Sequence, residues 1–277
     1  MEQKVKTAGI QLAASRGLAE NLRKAGELIG LAADEGARII TLPQLFNSRW
    51  FPSSIDPSNF SIAETEAGPT ITALREAASK KEAVIIAGIF EKDGEEYFNT
   101  AFVIGQKGEI IGKYRKIHVP RLPLWEEREY FKPGNLGFPV FDTPFGRIGV
   151  QLCWDIFFPE GMRILALKGA RAVFVPTASA FEHSQRKWER AIMSAAHANG
   201  IFIFRVNRVG REERQEFYGR SFCVGPDGEF VHGPIGQLPG VALAEIDFGE
   251  VERMRNEWVF LRDRRPQEYK EIVELKG

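Results

Sequence analysis

Short runs of β-branched and aliphatic residues recur along this chain, and they constrain the fold more than any other feature of the sequence. The runs have the length and composition of buried strands. They cover residues 5–12, 38–42, 83–90, 98–105, 109–114, 147–152, 172–176 and 201–206. Between several of them, apolar residues recur at helical spacing and end near Gly36, Gly169 or Gly200. The sequence therefore predicts alternating α and β units.

Tight-turn sequences join the strands in the middle of the chain, where helical patterns are missing. These turns are predicted at residues 93–94, 107–108, 143–146 and 227–228, each of which contains a glycine. Hairpins make antiparallel pairs, whereas helical crossovers make parallel ones. Continuous apolar strands also need cover on both faces. We therefore predict an α/β fold, a four-layer α-β-β-α sandwich of two mixed sheets with outer helices.

The length and composition of the chain allow one large core. A chain of 277 residues with 44% apolar content buries roughly 75% of its unfolded surface. We find no Pro/Ser-rich linker, charge block, low-complexity stretch or internal repeat at which to divide it. Residues 1–277 are therefore predicted to form a single domain.

The charge balance argues against binding to nucleic acid or to a membrane. Lys plus Arg and Asp plus Glu number 37 each, so no net field concentrates such partners. The basic run at residues 262–265 is interrupted by Asp263, which favours a solvated or interface role. The longest apolar run, residues 84–90, is far shorter than the roughly 20 residues of a membrane span, and residues 1–6 lack a secretory signal. We predict a small-molecule partner and a soluble, cytoplasmic protein.

The two cysteines, Cys153 and Cys223, exclude a disulfide framework and lack the short paired spacing of zinc ligands. The sequence also contains no Gly-rich dinucleotide loop. We therefore expect neither a metal nor an organic cofactor. Cys223 lies inside a strand pattern without a polar companion, which predicts a core position.

Cys153 stands at the end of a predicted strand, shortly before Pro159, which suits the first turn of a helix. At such a strand-to-helix corner, backbone N–H groups and the helix dipole favour a thiolate and an oxyanion. A nucleophile is one interpretation of this position. A buried structural cysteine is the other, because free cysteine is among the most buried residue types.

Two further polar residues stand at the ends of predicted strands. Lys116 shares a strand face with Tyr114 and His118, and it is either a lysine that protects a sheet edge or a cation in a pocket. Gln44 follows the second predicted strand, where an amide is typically a cap or turn residue. Glu127 belongs to a loop, where an acid is ordinarily solvated.

These residues lie in motifs whose order along the chain is informative. The motifs are Leu42-Pro43-Gln44-Leu45-Phe46, Tyr114-Arg115-Lys116-Ile117-His118, Glu127 before Tyr130-Phe131 and Pro133-Gly134, and Gly149-Val150-Gln151-Leu152-Cys153-Trp154-Asp155 with Phe158-Pro159-Glu160. Together they resemble the motifs of amidases of the nitrilase superfamily, the carbon–nitrogen hydrolases. The likeness extends over residues 4–270.

Part of the sequence is similar to one branch of that superfamily, the N-carbamoylputrescine amidases and β-ureidopropionases. Besides the Cys153 motif, this likeness rests on Tyr218-Gly219-Arg220-Ser221-Phe222, Gly225-Pro226-Asp227-Gly228-Glu229 and Phe260 through Arg265-Pro266. The loop at residues 121–125 departs from the Gly-rich, acid-containing loop of the branch. This departure argues against a polyamine-like substrate.

The resemblance implies that Cys153 attacks a carbonyl or nitrile carbon and forms a thioester that water then hydrolyses. Lys116 and the backbone N–H after Cys153 would stabilise the oxyanion, and Glu127 would orient the lysine. Residues expected to contact the substrate are Trp154, Asp155 and Thr177. The resemblance also implies a homodimer or larger homo-oligomer, formed by outer helices with the help of residues 260–269.

The general base of the family's triad is a glutamate, and here that position is Gln44. An amide keeps nearly the same shape but cannot relay a proton, and general acid–base assistance commonly contributes about 100-fold to 10,000-fold. The chain as written is therefore predicted to be slow or inactive. An engineered substitution, which the intact neighbouring motifs favour, and a natural pseudoenzyme are the two explanations.

Other functions compete with an amidohydrolase that acts on an N-carbamoyl or simple amide compound. A nitrilase would convert nitriles to acids, and an acyl transferase would pass the acyl group to an amine. A catalytically silent protein would use the pocket only to hold a metabolite, which Gln44 supports. A papain-like protease would need His118 or His197 as its base, but His197 is predicted to be a packed core or cap residue.

Overall fold

The computed structural model describes residues 4–275 of the chain. Its strands are β1 Lys4–Gln11, β2 Ile39–Thr41, β3 Val84–Asp93, β4 Glu96–Ile104, β5 Ile110–Arg115, β6 Val140–Thr143, β7 Gly146–Val150, β8 Ala172–Thr177, β9 Phe202–Asn207, β10 Val209–Glu212, β11 Gln215–Tyr218, β12 Phe222–Val224, β13 Phe230–His232 and β14 Gly240–Asp247. Its α-helices are α1 Leu18–Asp34, α2 Pro69–Lys81, α3 Pro159–Leu167, α4 Gln185–Asn199, α5 Phe248–Glu257 and α6 Glu271–Glu274.

Most of the strands belong to two sheets of six strands each. The order in the first sheet is β14-β1-β2-β3-β4-β5, and the order in the second is β13-β12-β9-β8-β7-β6. In each sheet the central pairs, such as β1 with β2 and β8 with β9, are parallel, and the outer pairs are antiparallel. The prediction of two mixed sheets is confirmed.

The apolar side chains form layers that follow the predicted sandwich. One buried cluster fills the space between the sheets, where Ile86 and Val103 of the first sheet meet Phe174 and Phe204 of the second. A second cluster packs the other face of the first sheet against α1 and α2. A third packs the second sheet against α3 and α4. The four-layer α-β-β-α arrangement is therefore confirmed.

Glycines make the predicted turns between neighbouring antiparallel strands. Gly94, Gly108 and Gly228 have φ values of 59°, 80° and 87°, in the left-handed region that glycine adopts without a steric penalty. Gly108 also has no room for a side chain, because a Cβ atom there would lie 2.8 Å from the carbonyl oxygen of Arg75. These turns connect β3 to β4, β4 to β5 and β12 to β13.

Polar residues follow the carboxyl ends of strands from both sheets. Gln44 comes shortly after β2, Lys116 directly after β5 and Cys153 shortly after β7. Loops at the carboxyl ends of strands are the usual place for a site in α/β folds. Among the helices of residues 4–275, none combines the length and apolar character needed to cross a membrane.

Candidate active site

Cys153 occupies a tight corner after β7. It opens a 3-10 turn, Cys153–Phe157, and its backbone φ is 47°. This left-handed conformation is uncommon for residues other than glycine and costs about 1–3 kcal/mol. Helix α3 begins only at Pro159, so a turn separates the strand from the helix. The sequence predicted that the N-terminal dipole of a helix acts on Cys153, and the structure places a 3-10 turn before that helix begins.

Asp155 holds this corner in place through both of its carboxylate oxygens. It accepts the backbone N–H groups of Leu152 at 3.1 Å and His118 at 2.9 Å, and the hydroxyl of Tyr114 at 2.8 Å. The side chain is fully buried and lies outside the wall of the cavity described below. Asp155 therefore connects β5 to the Cys153 turn, whereas the sequence predicted a substrate contact.

Lys116 and Glu127 form a buried ion pair. The Lys116 Nζ atom lies 2.8 Å and 2.6 Å from the two carboxylate oxygens of Glu127, and neither side chain is exposed. Asn99 Nδ2 donates a further hydrogen bond of 3.2 Å to Glu127. Burial raises the pKa of Glu127, and the Lys116 ammonium opposes that shift. From its residue type alone, Glu127 was predicted to be solvated in a loop, and this prediction is wrong.

Gln44 is also buried, and its side chain reaches the same carboxylate. Its Nε2 atom donates a long hydrogen bond of 3.4 Å to Glu127 Oε2. Its Oε1 atom has no hydrogen-bond partner among the described residues, although buried polar atoms are nearly always paired. The position next to the Lys116–Glu127 pair thus holds a neutral amide with an unused acceptor.

The thiol of Cys153 is nearly enclosed. The residue is 4% exposed, and its Sγ atom lies 3.9 Å from the carbonyl oxygen of Ala178. Burial raises the pKa of the Cys153 thiol, and the positive charge of Lys116 opposes that rise. Burial thus works against the thiolate that the corner alone predicted, and the lysine works in its favour. A proton must leave before the sulfur acts as a nucleophile.

A cavity of about 300 Å³ lies against this residue. Apolar side chains form most of its wall: Leu122, Trp125, Trp154, Phe157, Phe181 and Trp188. Its polar lining comes from Glu127, Ser179, His183, Ser184 and Lys187. Two larger grooves, of about 490 Å³ and about 530 Å³, contain neither cysteine. The smaller cavity is therefore the candidate active site.

Three of the predicted site residues line this cavity, namely Glu127, Cys153 and Trp154. Lys116 and Gln44 are not part of the wall but contact Glu127 from within the protein. The structure therefore brings the cysteine, the lysine, the acid and the amide to one place, as the order of their motifs predicted.

The segment after β8 contributes lining residues that the sequence did not indicate. The hydroxyl of Thr177, a predicted substrate contact, donates a hydrogen bond of 2.9 Å to the carbonyl oxygen of Val175. The next two residues, Ala178 and Ser179, line the cavity instead. Their position directly after the carboxyl end of a central strand is the signal that identifies them.

Neither histidine considered as the base of a protease lines the cavity. The His118 Nδ1 atom lies 2.8 Å from a carboxylate oxygen of Asp155. His197 packs edge-on against Trp258, with 5.7 Å between ring centroids, as its predicted core or cap position implies. The papain-like alternative therefore lacks a base at either position.

The other cysteine does not line the cavity. Cys223 is fully buried in the cluster between the sheets, so its predicted core position is confirmed. Within residues 4–275, no three His, Cys, Asp or Glu side chains are grouped in a way that would hold a metal ion.

Comparison with known proteins identifies the family. The sequence profile described as "Carbon-nitrogen hydrolase" matches residues 6–256. The chain belongs to this family. It is similar to an N-carbamoylputrescine amidase of Solanum lycopersicum, with 34% identity over 288 residues that cover 99% of this chain and 96% of the relative. The chain is accordingly a carbon–nitrogen hydrolase of the kind that acts on non-peptide C–N bonds.

Solved structures of the nitrilase superfamily share the fold of this hydrolase. A carbon–nitrogen hydrolase from Helicobacter pylori G27 matches with a TM-score of 0.94 and 32% identity over 98% of each chain. A glutamate-to-glutamine variant of the amidase from Nesterenkonia sp. AN1 matches with a TM-score of 0.81 and 26% identity, over 96% of this chain and 95% of that chain. That variant is described as showing covalent addition of the acetamide moiety of fluoroacetamide at the active-site cysteine. The predicted superfamily is confirmed.

Proposed function

We propose that this hydrolase is a cofactor-free thiol amidohydrolase that uses Cys153 to cleave the C–N bond of an N-carbamoyl or simple amide compound. One observation carries this proposal: a cysteine in a left-handed turn lines a small cavity beside the buried Lys116–Glu127 pair. A cysteine nucleophile needs a cation that favours its thiolate and a group that takes its proton. The lysine supplies the first of these.

The first half-reaction joins the sulfur to the substrate. As the thiol proton leaves, the sulfur electron pair forms a bond to the carbonyl carbon, and the carbonyl π electrons move to the oxygen. Lys116 and the backbone N–H of Trp154 are the proposed donors to this oxyanion, and one such donor typically contributes about 3–4 kcal/mol. When the carbonyl re-forms, the C–N bond breaks, the nitrogen accepts a proton, and a thioester remains on Cys153.

The second half-reaction releases the acid. Water gives up a proton as its oxygen bonds to the thioester carbon, the C–S bond breaks, and the sulfur regains a proton. A carbamic acid formed in this way decomposes to carbon dioxide and ammonia, whereas a simple amide has already released ammonia in the first half-reaction. Ammonia therefore reports turnover of both substrate classes.

Gln44 limits both half-reactions, because each needs a group that accepts and returns a proton. An amide does not do this, and Glu127 already accepts hydrogen bonds from Lys116, Asn99 and Gln44. General acid–base assistance commonly contributes about 100-fold to 10,000-fold, so we expect slow turnover by the chain as written. The Nesterenkonia variant supports survival of the nucleophile after such a substitution, since its cysteine forms a covalent bond.

The wall of the cavity favours a neutral, apolar substrate over a polyamine. Leu122 and Trp125 belong to the loop that departs from the family pattern, and both line the cavity. Glu127 is the only carboxylate among the described lining residues, and its charge is already paired with Lys116. Lys187 adds a positive charge to the lining. Because a substrate ammonium would meet no free anion there, aromatic or aliphatic amides and carbamoyl compounds are the proposed substrates.

A catalytically silent metabolite-binding protein is the second candidate, and Gln44 is the observation that favours it. Such a protein would bind the same apolar compounds without releasing ammonia. A nitrilase or an acyl transferase would use the same cysteine, and acids formed from nitriles or acylated amines among the products would identify either one.

Iodoacetamide is expected to label Cys153 before Cys223. Cys153 lines a cavity, whereas Cys223 is fully buried and burial raises its pKa far above the usual thiol range. Only the thiolate reacts, and burial also raises the pKa of Cys153. Labelling of Cys153 is therefore expected to accelerate as the pH rises through and beyond the ordinary thiol pKa of about 8.5. Peptide masses after timed labelling measure both rates, and earlier labelling of Cys223 would overturn the assignment of the nucleophile.

We also propose that residues 1–277 act as one domain, in the cytoplasm, and assemble into a homodimer or larger homo-oligomer through their outer helices. Apolar side chains of the C-terminal segment are exposed on the single chain: Trp258, Phe260, Tyr269, Ile272 and Val273. Such exposed apolar surface commonly marks an association site. Sedimentation equilibrium at micromolar concentration is expected to give at least twice the mass of one chain, and the mass of one chain would contradict the proposal.

A further inference from the structure

Arg205 is a buried cation that forms no salt bridge with any residue of 4–275, although the charge of Glu189 acts on it from a distance. Arg205 is only 1% exposed. Its guanidinium donates to the backbone carbonyl of Arg220 at 3.2 Å and to the hydroxyl of Tyr218 at 3.0 Å, and no carboxylate among residues 4–275 pairs with it. Its Nε atom has no partner within the same residues. A buried charge without an opposite charge is costly, so this position calls for an explanation.

Aromatic rings surround the guanidinium and connect it to the wall of the cavity. Its central carbon lies 4.8 Å from the ring centroid of Trp188 and 5.4 Å from that of Tyr218. Trp188 is itself part of the cavity wall. The rings compensate part of the burial cost through cation–π attraction, and they place Arg205 directly behind the lining of the site.

A short hydrogen-bond chain leads from Arg205 into the cavity. The hydroxyl of Tyr218, which accepts from Arg205, lies 2.9 Å from the hydroxyl of Ser179. An arginine only donates hydrogen bonds. The Tyr218 oxygen therefore accepts from Arg205 and has its own proton available for the Ser179 oxygen. Either hydroxyl can donate in this contact, and when Tyr218 is the donor, Ser179 keeps its own proton for another acceptor.

Ser179 lines the cavity, and its hydroxyl has one hydroxyl neighbour besides Tyr218 among residues 4–275. The nearest acceptor in the protein, the hydroxyl of Ser184, is 3.4 Å away, which is longer than the usual 2.5–3.0 Å of a bond between two hydroxyl groups. Asn207 holds the backbone of Ser179 from both sides, with bonds of 2.9 Å to its N–H and 3.0 Å to its carbonyl oxygen. The backbone of the serine is thus fixed in position at the cavity.

We propose that Arg205 is a positioning residue that acts through Tyr218 to make the Ser179 hydroxyl a hydrogen-bond donor to the group reacting at Cys153. This inference rests on the proposed function, since it assumes that reaction takes place at Cys153. Nothing in the family motifs described above includes Arg205 or Ser179.

The charges around the cavity agree with this role. The buried charged groups that act on the Cys153 thiol are Lys116, Glu127 and Arg205. Glu127 raises the pKa of the thiol, and Lys187 adds a further positive charge to the lining of the cavity. Arg205 opposes the rise that burial causes in the pKa of Cys153, as Lys116 does.

Iodoacetamide labelling of Cys153 in the full chain tests the proposal. Ser179→Ala and Tyr218→Phe each remove a single oxygen, and each is expected to slow labelling about 10-fold at fixed pH, because a hydrogen bond to a charged group is lost. The double variant is expected to be no slower than the slower single variant, since both changes break the same chain. Tyr130→Phe is the matched control: it removes a buried hydroxyl that donates to Ser54 at 2.7 Å, outside the cavity wall, and is expected to label normally.

Arg205→Met is expected to move the labelling profile to higher pH, and Arg205→Lys is expected to restore most of the shift by returning the charge. Unfolding curves verify that each variant is folded, and the serine and tyrosine variants decide the outcome if Arg205→Met does not fold. The proposal would be overturned if Ser179→Ala and Tyr218→Phe both label at the original rate. It would also be overturned if the fold-reduction of the labelling rate in the double variant equals the product of the two single reductions. Failure of the unaltered chain to label Cys153 ahead of Cys223 would instead contradict the proposed function.

Discussion

Gln44→Glu is expected to raise ammonia release by at least about 100-fold, the lower end of general-base effects. The change replaces one terminal amide by a carboxylate with almost no change in volume, so the buried site is expected to tolerate it. The new carboxylate would stand where Gln44 Nε2 now lies 3.4 Å from Glu127, with Lys116 as the shared cation. Repulsion between two adjacent carboxylates raises the pKa of one of them, which suits a base that works near neutral pH.

The measurement is ammonia release from a panel of N-carbamoyl compounds, simple amides and nitriles. Within the panel, neutral aromatic and aliphatic compounds are expected to release ammonia faster than a carbamoyl polyamine, because the described residues of the cavity wall include no carboxylate that is free of an ion pair. Gln44→Met is the control: methionine has a similar volume but no acidic group, so this variant is expected to show no increase in ammonia release. A folded Gln44→Glu variant that keeps a reactive Cys153 and hydrolyses no member of the panel would favour the metabolite-binding function.

Glu127→Gln is expected to lower the free energy of unfolding by about 3–5 kcal/mol, the usual cost of removing one partner from a buried ion pair. The Lys116 ammonium would lose both of its carboxylate contacts in a place where neither side chain is exposed. The same variant is expected to lose turnover in the Gln44→Glu background, because the lysine would no longer be held in position. Urea unfolding at neutral pH measures the first effect, and ammonia release measures the second.

A surface ion pair of the same length provides the control. Lys132 Nζ lies 2.6 Å from Glu96 Oε1, and both side chains are largely open to solvent. Glu96→Gln is therefore expected to change the free energy of unfolding by about 0–1 kcal/mol. Equal effects of the two glutamine substitutions would show that the Lys116–Glu127 pair is not energetically distinct from a surface pair.

The two sheets could be predicted because their signals are local. The β-branched runs of β3, β8 and β9 are buried on both faces, and glycines close the neighbouring turns. β14 escaped prediction because it alternates buried and half-exposed positions at the edge of its sheet, where it pairs with β1 from the opposite end of the chain. Half of the residues of helix α5 are charged, and the helix depends on Phe248 and Val251 reaching the core between the sheets.

The site could be predicted only where its residues form motifs. Cys153, Lys116 and Glu127 lie in recognisable segments, and the fold brings them together. Arg205 and Ser179 gave no such signal. An arginine within a strand pattern ordinarily marks a solvent-facing position, and the burial of Arg205 depends on a tyrosine hydroxyl and a backbone carbonyl from residues further along the chain. Contacts of this kind arise from packing and have no local pattern.

The site is divided between the two halves of the sandwich. Cys153 follows β7 of the second sheet and Lys116 follows β5 of the first, and Asp155 connects them through Tyr114. Before the sheets dock, the sulfur is an ordinary solvated thiol, open to any oxidant or alkylating agent. Burial in the docked sandwich raises the pKa of the thiol, and the sulfur lies at the wall of the cavity. In the closed sandwich, we therefore expect the sulfur to react with molecules that are small and apolar enough to enter the cavity.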